Sequence, residues 1–133
     1  MSTDLKDRRA TIISTGEELV TGHTVDTNAS FIARHLTDLG MRVQRVLAVG
    51  DDPRALHDEL LRTATDSDLV IVTGGLGPTA DDRTRGAIAR AAGLELEEDA
   101  DSLEHVRSVI EGYGHRMRES HAVQALFPAG AEI

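Results

Sequence analysis

Apolar residues recur along the chain in two rhythms, one dense and short, the other spaced every three or four positions. Arg9-Ala10-Thr11-Ile12-Ile13-Ser14-Thr15 is β-branched and nearly continuous in apolar character, which predicts a strand. Gly16-Glu17-Glu18-Leu19-Val20-Thr21-Gly22 lies between two glycines and reads as a loop. From Asn28, Ala29, Ile32, Ala33, Leu36 and Leu39 fall on one face of a helix that Gly40 stops. Met41 to Val49 alternates, with Val43, Val46 and Ala48 among polar residues, and reads as a second strand.

Asp52 is a natural N-cap before Pro53, a residue suited to the first helical position. Leu56, Leu60, Leu61 and Ala64 form the expected buried stripe of that helix. Leu69-Val70-Ile71-Val72 is apolar at every position and is expected at the centre of a parallel sheet, buried on both faces. The glycine-rich stretch Thr73 to Asp82 leads into a helix with Ile88, Ala89 and Ala92, ended by Gly93. Leu94 to Glu97 reads as a short edge strand. Leu103, Val106, Val109 and Ile110 share a helix face ending near Gly112-Tyr113-Gly114, and Ser120 to Phe127 reads as a last amphipathic turn or two before Pro128. Strands alternating with helices predict an α/β fold, a three-layer α/β/α sandwich with a mostly parallel sheet.

Length and composition narrow the function classes. The 133 residues fit a single domain, 1–133, and a hydrophobic share of 40% supports a packed core. Aromatics make up only 2% (Phe31, Tyr113 and Phe127), so aliphatic side chains must fill that core. The first seven residues are polar and charged and are expected to fray. No apolar run approaches the roughly 20 residues of a membrane helix, and Met1-Ser2-Thr3-Asp4 begins no signal peptide. The chain has no cysteine, which removes disulfides, thiolate chemistry and cysteine zinc sites. A cytoplasmic protein without a membrane partner is expected.

With 14 basic and 23 acidic residues the net charge is −9, which disfavours nucleic acid as a partner. A small anionic ligand is compatible only if local dipoles or a cation offset that field. The six histidines show no zinc-ligand spacing, and no serine stands in a Gly-x-Ser-x-Gly elbow.

Ligands of open α/β sheets bind outside the carboxyl ends of the strands. Here those ends are Ser14-Thr15-Gly16-Glu17-Glu18, Gly50-Asp51-Asp52, and Thr73 to Asp82. Gly74, Gly75 and Gly77, between a strand and a helix, can aim backbone N–H groups at an anion, whereas a plain tight turn rarely needs so many glycines. One of Asp81 and Asp82 is expected to cap the next helix, leaving the other for a different role. Gly75 to Ala80 also satisfies Gly-x-Gly-x-x-Gly/Ala, with Glu95 downstream. That dinucleotide fingerprint normally follows the first strand, however, and Asp81 and Asp82 would oppose a pyrophosphate at the helix start. Two carboxylates within ~4 Å of a phosphate each repel it by about 1 kcal/mol even in water, more than the helix dipole typically returns. Mg²⁺ between Asp51, Asp81, Asp82 and a phosphate would reverse that sign.

Four ordered motifs carry a family resemblance: Ile13-Ser14-Thr15-Gly16-Glu17-Glu18-Leu19; Gly22 with Asp26-Thr27-Asn28; Val49-Gly50-Asp51-Asp52; and Thr73 through Thr84, with Gly74-Gly75-Leu76-Gly77-Pro78-Thr79-Ala80-Asp81-Asp82 at its heart. They resemble the molybdopterin-binding (molybdenum-cofactor biosynthesis) domain superfamily, and within it the N-terminal domain of the CinA (competence/damage-inducible protein A) family. The likeness runs from Ala10 to Ile133, with Glu119-Ser120 and Gln124-Ala125-Leu126 matching a later segment. His121 stands where the family usually has Asn, and Arg118 where it often has Pro. The family continues after the position of Ile133 into an Asn-Pro-rich loop that helps close the site. The deamidase domain of many members is not within these residues, so nicotinamide mononucleotide deamidation is not assigned to them.

The resemblance implies a phosphate-bearing nucleotide or pterin as ligand, a homodimer, and metal-dependent hydrolysis of ADP-ribose-type pyrophosphates. Adenylyl transfer to molybdopterin and non-catalytic binding are the alternatives, and Leu76, where such transferases commonly carry Thr, speaks against transfer. The implied catalytic acids are Asp51 and Asp82, with Asp81 and Asp82 as ligands of a divalent metal, Mg²⁺. Ser14, Thr15, Gly16, Glu18, Asn28, Thr73, Gly74, Gly75, Gly77 and Thr79 are the implied substrate-binding residues.

Overall fold

The computed structural model describes residues 5–133, so the reading of Met1 to Asp4 lies outside the described residues. The chain divides into two compact units, the first running through Gly74 and the second from Gly75 to Ile133.

The first unit contains β1 (Arg9–Thr15), α1 (Glu17–Val20), α2 (Thr27–Asp38), β2 (Arg42–Val49), α3 (Pro53–Asp66) and β3 (Leu69–Thr73). The strands form a parallel sheet in the order β2-β1-β3. β1 therefore occupies the centre, and its interior residues are buried on both faces, Ile12 and Ile13 being 0% exposed. Each such side chain contributes about 1.5–3 kcal/mol of apolar burial. Ala10 and Ile12 pack with Ala29 and Leu36 of α2 and with Met41. Thr11 and Ile13 alternate onto the opposite face, where the Thr11 hydroxyl lies 2.9 Å from that of Ser67, just after α3. The expectation of β3 at the centre is corrected: its residues are half-buried, and it borders β1 alone among the described strands.

Helix boundaries follow their caps. The Asp26 carboxylate accepts from the Ala29 N–H at 2.9 Å and starts α2 one residue before Asn28. Gly40 adopts φ +86 and ends it, with the Met41 N–H returning to the Leu36 carbonyl. Asp52 caps α3 as expected, accepting from the Arg54 N–H at 2.9 Å ahead of Pro53. The stripe of α3 is narrower than its apolar residues suggested: Leu56 and Leu60 are buried with Thr63, whereas Leu61 is 46% exposed and Ala64 is also exposed. Glu17–Val20, read as loop, is a single helical turn.

The second unit contains α4 (Thr84–Ala92), β4 (Leu96–Glu98), α5 (Ala100–Gly112), α6 (Glu119–Ala122), a 3-10 turn (Val123–Ala125) and β5 (Leu126–Pro128). β4 pairs antiparallel with β5, so Leu126–Pro128 is extended and ends the last helical turn earlier than the apolar pattern implied. The apolar residues of α5 are only partly covered, and Val109 is 43% exposed. No helix among the described residues is long and apolar enough to cross a membrane.

Candidate functional site

The register of the first unit brings its strand ends level. Thr15 pairs with Val49, and Ser14 pairs with Thr73, so Gly16, Gly50 and Gly74 each follow directly on a strand at one edge of the sheet. The Gly16 N–H donates to the Val49 carbonyl at 3.0 Å. The Thr15 hydroxyl donates to the Thr73 carbonyl at 3.1 Å, and the Thr73 hydroxyl lies 3.4 Å from the buried Ser14 hydroxyl. Ser14, Thr15, Thr73 and the three glycines thus form one row.

Each glycine in that row is crowded. A Cβ on Gly16 would lie 2.6 Å from a Glu18 carboxylate oxygen, and one on Gly50 would overlap the Glu17 carboxylate. On Gly74, at φ +87, it would overlap the backbone carbonyl of Thr15. Glu17 also accepts from the Asp51 N–H at 3.3 Å, linking the ends of β1 and β2. The sequence does not distinguish Glu17 from Glu18; the turn of α1 does, by sending their carboxylates to different glycines. The Asp51 carboxylate has no hydrogen-bond or ionic partner among the described residues. Asn28, in the first turn of α2, is exposed.

In the second unit the glycine loop is closed on itself. The Gly75 carbonyl accepts from the Thr84 N–H at 3.2 Å, and Gly75 holds φ +62. Asp82 accepts from both the N–H and the hydroxyl of Thr79 at 2.7 Å. Those bonds, the Thr79 hydroxyl foremost, hold its pKa below the ordinary value against a partial desolvation that raises it, with the Gly77 N–H and the Arg85 charge assisting. A Cβ on Gly77 would lie 2.6 Å from an Asp82 oxygen, so this carboxylate needs glycine beneath it.

The expectation that Asp81 or Asp82 caps α4 is corrected. Arg83 holds the N-cap position without a side-chain cap bond, because Asp82 has turned back onto the loop. The Thr84 N–H, at the start of α4, donates to the Gly75 carbonyl instead. Asp81 is exposed and has no partner among the described residues.

Arg85 is a cation that the motif reading missed. It is half-buried and electrostatically coupled to Asp82: burial lowers its pKa and the Asp82 charge opposes that shift. Its position one residue into α4 was the available signal. The loop therefore carries a positive charge of its own beside its acids.

Among the described residues, no three side chains of the His, Cys, Asp and Glu types converge to hold a metal ion. The donors present do not make a closed cage of the zinc or calcium kind. An ion such as Mg²⁺ takes one or two carboxylates and keeps waters and phosphate oxygens as its other ligands, so Asp81 and Asp82 are the residues of this loop that could hold one.

Comparison with known proteins places this architecture. Residues 11–127 match the family model described as a probable molybdopterin binding domain. A CinA-like protein of Syntrophus aciditrophicus is 46% identical over 125 residues, covering 94% of this chain and 30% of that protein. A CinA-like protein of Anaeromyxobacter sp. is 43% identical over 122 residues, again covering 30% of the relative. The chain thus spans about a third of the length of these curated relatives. The crystal structure of a CinA protein of unknown function from Thermoplasma acidophilum superposes with a TM-score of 0.84 at 34% identity, covering 95% of this chain and 73% of that one. The tungsten cofactor synthesizing protein MoaB from Pyrococcus furiosus shares the fold, with a TM-score of 0.60 at 23% identity over 92% of this chain and 79% of that one. The extent of the family match and the likeness to the Thermoplasma structure lead to one conclusion: this chain belongs to the molybdopterin-binding-domain family, in its CinA branch.

Proposed function

We propose that this domain binds a phosphate-bearing nucleotide or pterin and hydrolyses ADP-ribose-type pyrophosphates with Mg²⁺. The observation that carries the reading is the level row of Gly16, Gly50 and Gly74 at the carboxyl ends of β1, β2 and β3, where open α/β sheets receive their ligands. The family resemblance supplies the substrate class.

In this reading Thr15, Gly16, Glu18, Asn28 and Thr73 contact the organic part of the ligand, while the buried Ser14 hydroxyl supports Thr73 from within the sheet. The Gly74–Gly77 backbone receives the pyrophosphate, with Arg85 adding a fixed positive charge. Asp81 and Asp82 would hold Mg²⁺, directly or through water, and the chemistry it would supply is charge neutralisation at the phosphate oxygens. Asp51, whose carboxylate has no partner among the described residues, orients the attacking water and takes its proton. The water oxygen joins one phosphorus, the bridging P–O bond breaks, and the second phosphate departs with the bonding pair. A homodimer belongs to the same reading, supported by the partly covered face of α5; sedimentation finding only monomer at tens of micromolar removes it.

The test is release of a nucleoside monophosphate from ADP-ribose against Mg²⁺ concentration, with a pterin as competitor. Full turnover in excess chelator overturns the metal requirement. Pterin binding without any phosphoanhydride cleavage favours the alternative given by the family description, a molybdopterin-binding domain.

A further inference from the structure

The segment joining α5 to α6 borders a cavity of about 300 Å³, lined by Ile110, His115, Arg116, Arg118 and His121. Every polar lining residue is a base, in a chain whose net charge is −9. None of these residues belongs to the glycine loop or to the row of strand ends.

Its walls are anchored by the backbone. α5 ends in a Schellman turn: the Gly114 N–H donates to the Glu111 carbonyl at 2.9 Å, the His115 N–H to the Ile110 carbonyl at 3.1 Å, and Gly114 takes φ +75. That turn fixes His115 next to Ile110. Across the segment, the Arg118 N–H donates to Nδ1 of His121 at 3.1 Å, tying the second imidazole to the second arginine. With Nδ1 accepting, the proton of the neutral ring is on Nε2, which remains a donor.

Neither Arg116 nor Arg118 has an ion-pair partner among the described residues, although Glu111 and Glu119 flank them in the sequence. Two guanidinium groups bring donors and positive charge to one small cavity, and two imidazoles share its lining. Arginine forks match the geometry of tetrahedral oxyanions, and bonds to ionised groups are the strong class of hydrogen bond. A volume near 300 Å³ is at the small end of ligand pockets, which suits a phosphoryl group with little attached.

We infer that this cavity is a second anion site, binding a phosphoryl group through Arg116, Arg118, His115 and His121. It needs neither Mg²⁺ nor the glycine loop.

Inorganic phosphate and AMP are titrated separately into the full chain at constant ionic strength, while histidine ring protons and backbone amides are followed by NMR. Both ring signals of His115 and His121 are expected to move saturably, with those of His35 and His57 as unmoved references. Stronger binding of AMP than of inorganic phosphate identifies an organic phosphate as the ligand, and the reverse order identifies the free ion. In Arg116→Gln/Arg118→Gln, substituted at exposed positions, the affinity should fall about tenfold or more. Arg118→Lys, which keeps the charge but loses the fork, should fall in between. Shifts confined to the amides of the glycine loop, or ring shifts unchanged in the double variant, overturn the inference while leaving the proposed catalytic reading standing.

Discussion

Asp82 and Thr79 form a closed pair in which one carboxylate oxygen accepts both the N–H and the hydroxyl of the threonine, each at 2.7 Å. This pair shapes the glycine loop, because it draws Asp82 away from the start of α4 and over Gly77. Its pKa is depressed in the fold, so its stabilising contribution is present above the ordinary aspartate value of about 3.9. That contribution disappears as pH falls through the lower, folded value. Carboxyl NMR should find Asp82 titrating below the ordinary aspartate value. Thr79→Val should move the Asp82 titration back up, and an unmoved titration would refute the pairing.

Gly74 offers a sharper test of the strand-end row. Replacing it by Ala places a Cβ on the Thr15 carbonyl as well as forcing a non-glycine residue to φ +87. Gly93 has a similar φ of +68, but open space around it. Gly93→Ala should therefore cost only the backbone strain, about 1–3 kcal/mol, and Gly74→Ala distinctly more. Urea unfolding of the two variants measures the difference, and equal losses would remove the steric argument.

The burial of α3 predicts unequal neighbours. Leu60 is 8% exposed and Leu61 is 46% exposed. Leu60→Ala should destabilise the fold by roughly 2–5 kcal/mol, while Leu61→Ala should remain near the ~0.5 kcal/mol typical of surface changes. Chemical denaturation resolves this directly.

Asp51 and Asp82 should separate kinetically if the proposed hydrolysis is correct. Asp51→Asn should lower kcat for ADP-ribose by at least about 10²-fold, the usual scale for a positioned acid or base, with ligand affinity nearly unchanged. Asp82→Asn should raise the Mg²⁺ concentration needed for half-maximal rate, since it weakens both the metal donor and the loop. An Asp82→Asn protein indistinguishable from its parent would defeat the metal assignment.

Much of the fold was legible along the chain because its signals are local. The β-branched run Arg9–Thr15, the caps Asp52-Pro53 and Gly40, and the apolar spacing of α2 each specify an element without reference to the rest. The motif residues at the three strand ends were legible for the same reason, being contiguous stretches after strands. Burial was less so. An apolar run such as Leu69–Val72 reports that a strand is hydrophobic, whereas its place in the sheet depends on which strand pairs on either side, and β1 took the centre. Likewise, the sequence shows two acids before α4 but not the direction of their side chains. Only the folded loop decided that, since the N–H and hydroxyl of Thr79 together offer Asp82 two bonds of 2.7 Å away from the helix start. Arg85 beside Asp82, Glu17 on Asp51, and the basic cavity built on the Ile110–His115 turn are tertiary decisions too. Each depends on distances between groups whose spacing along the chain does not encode where the backbone will turn.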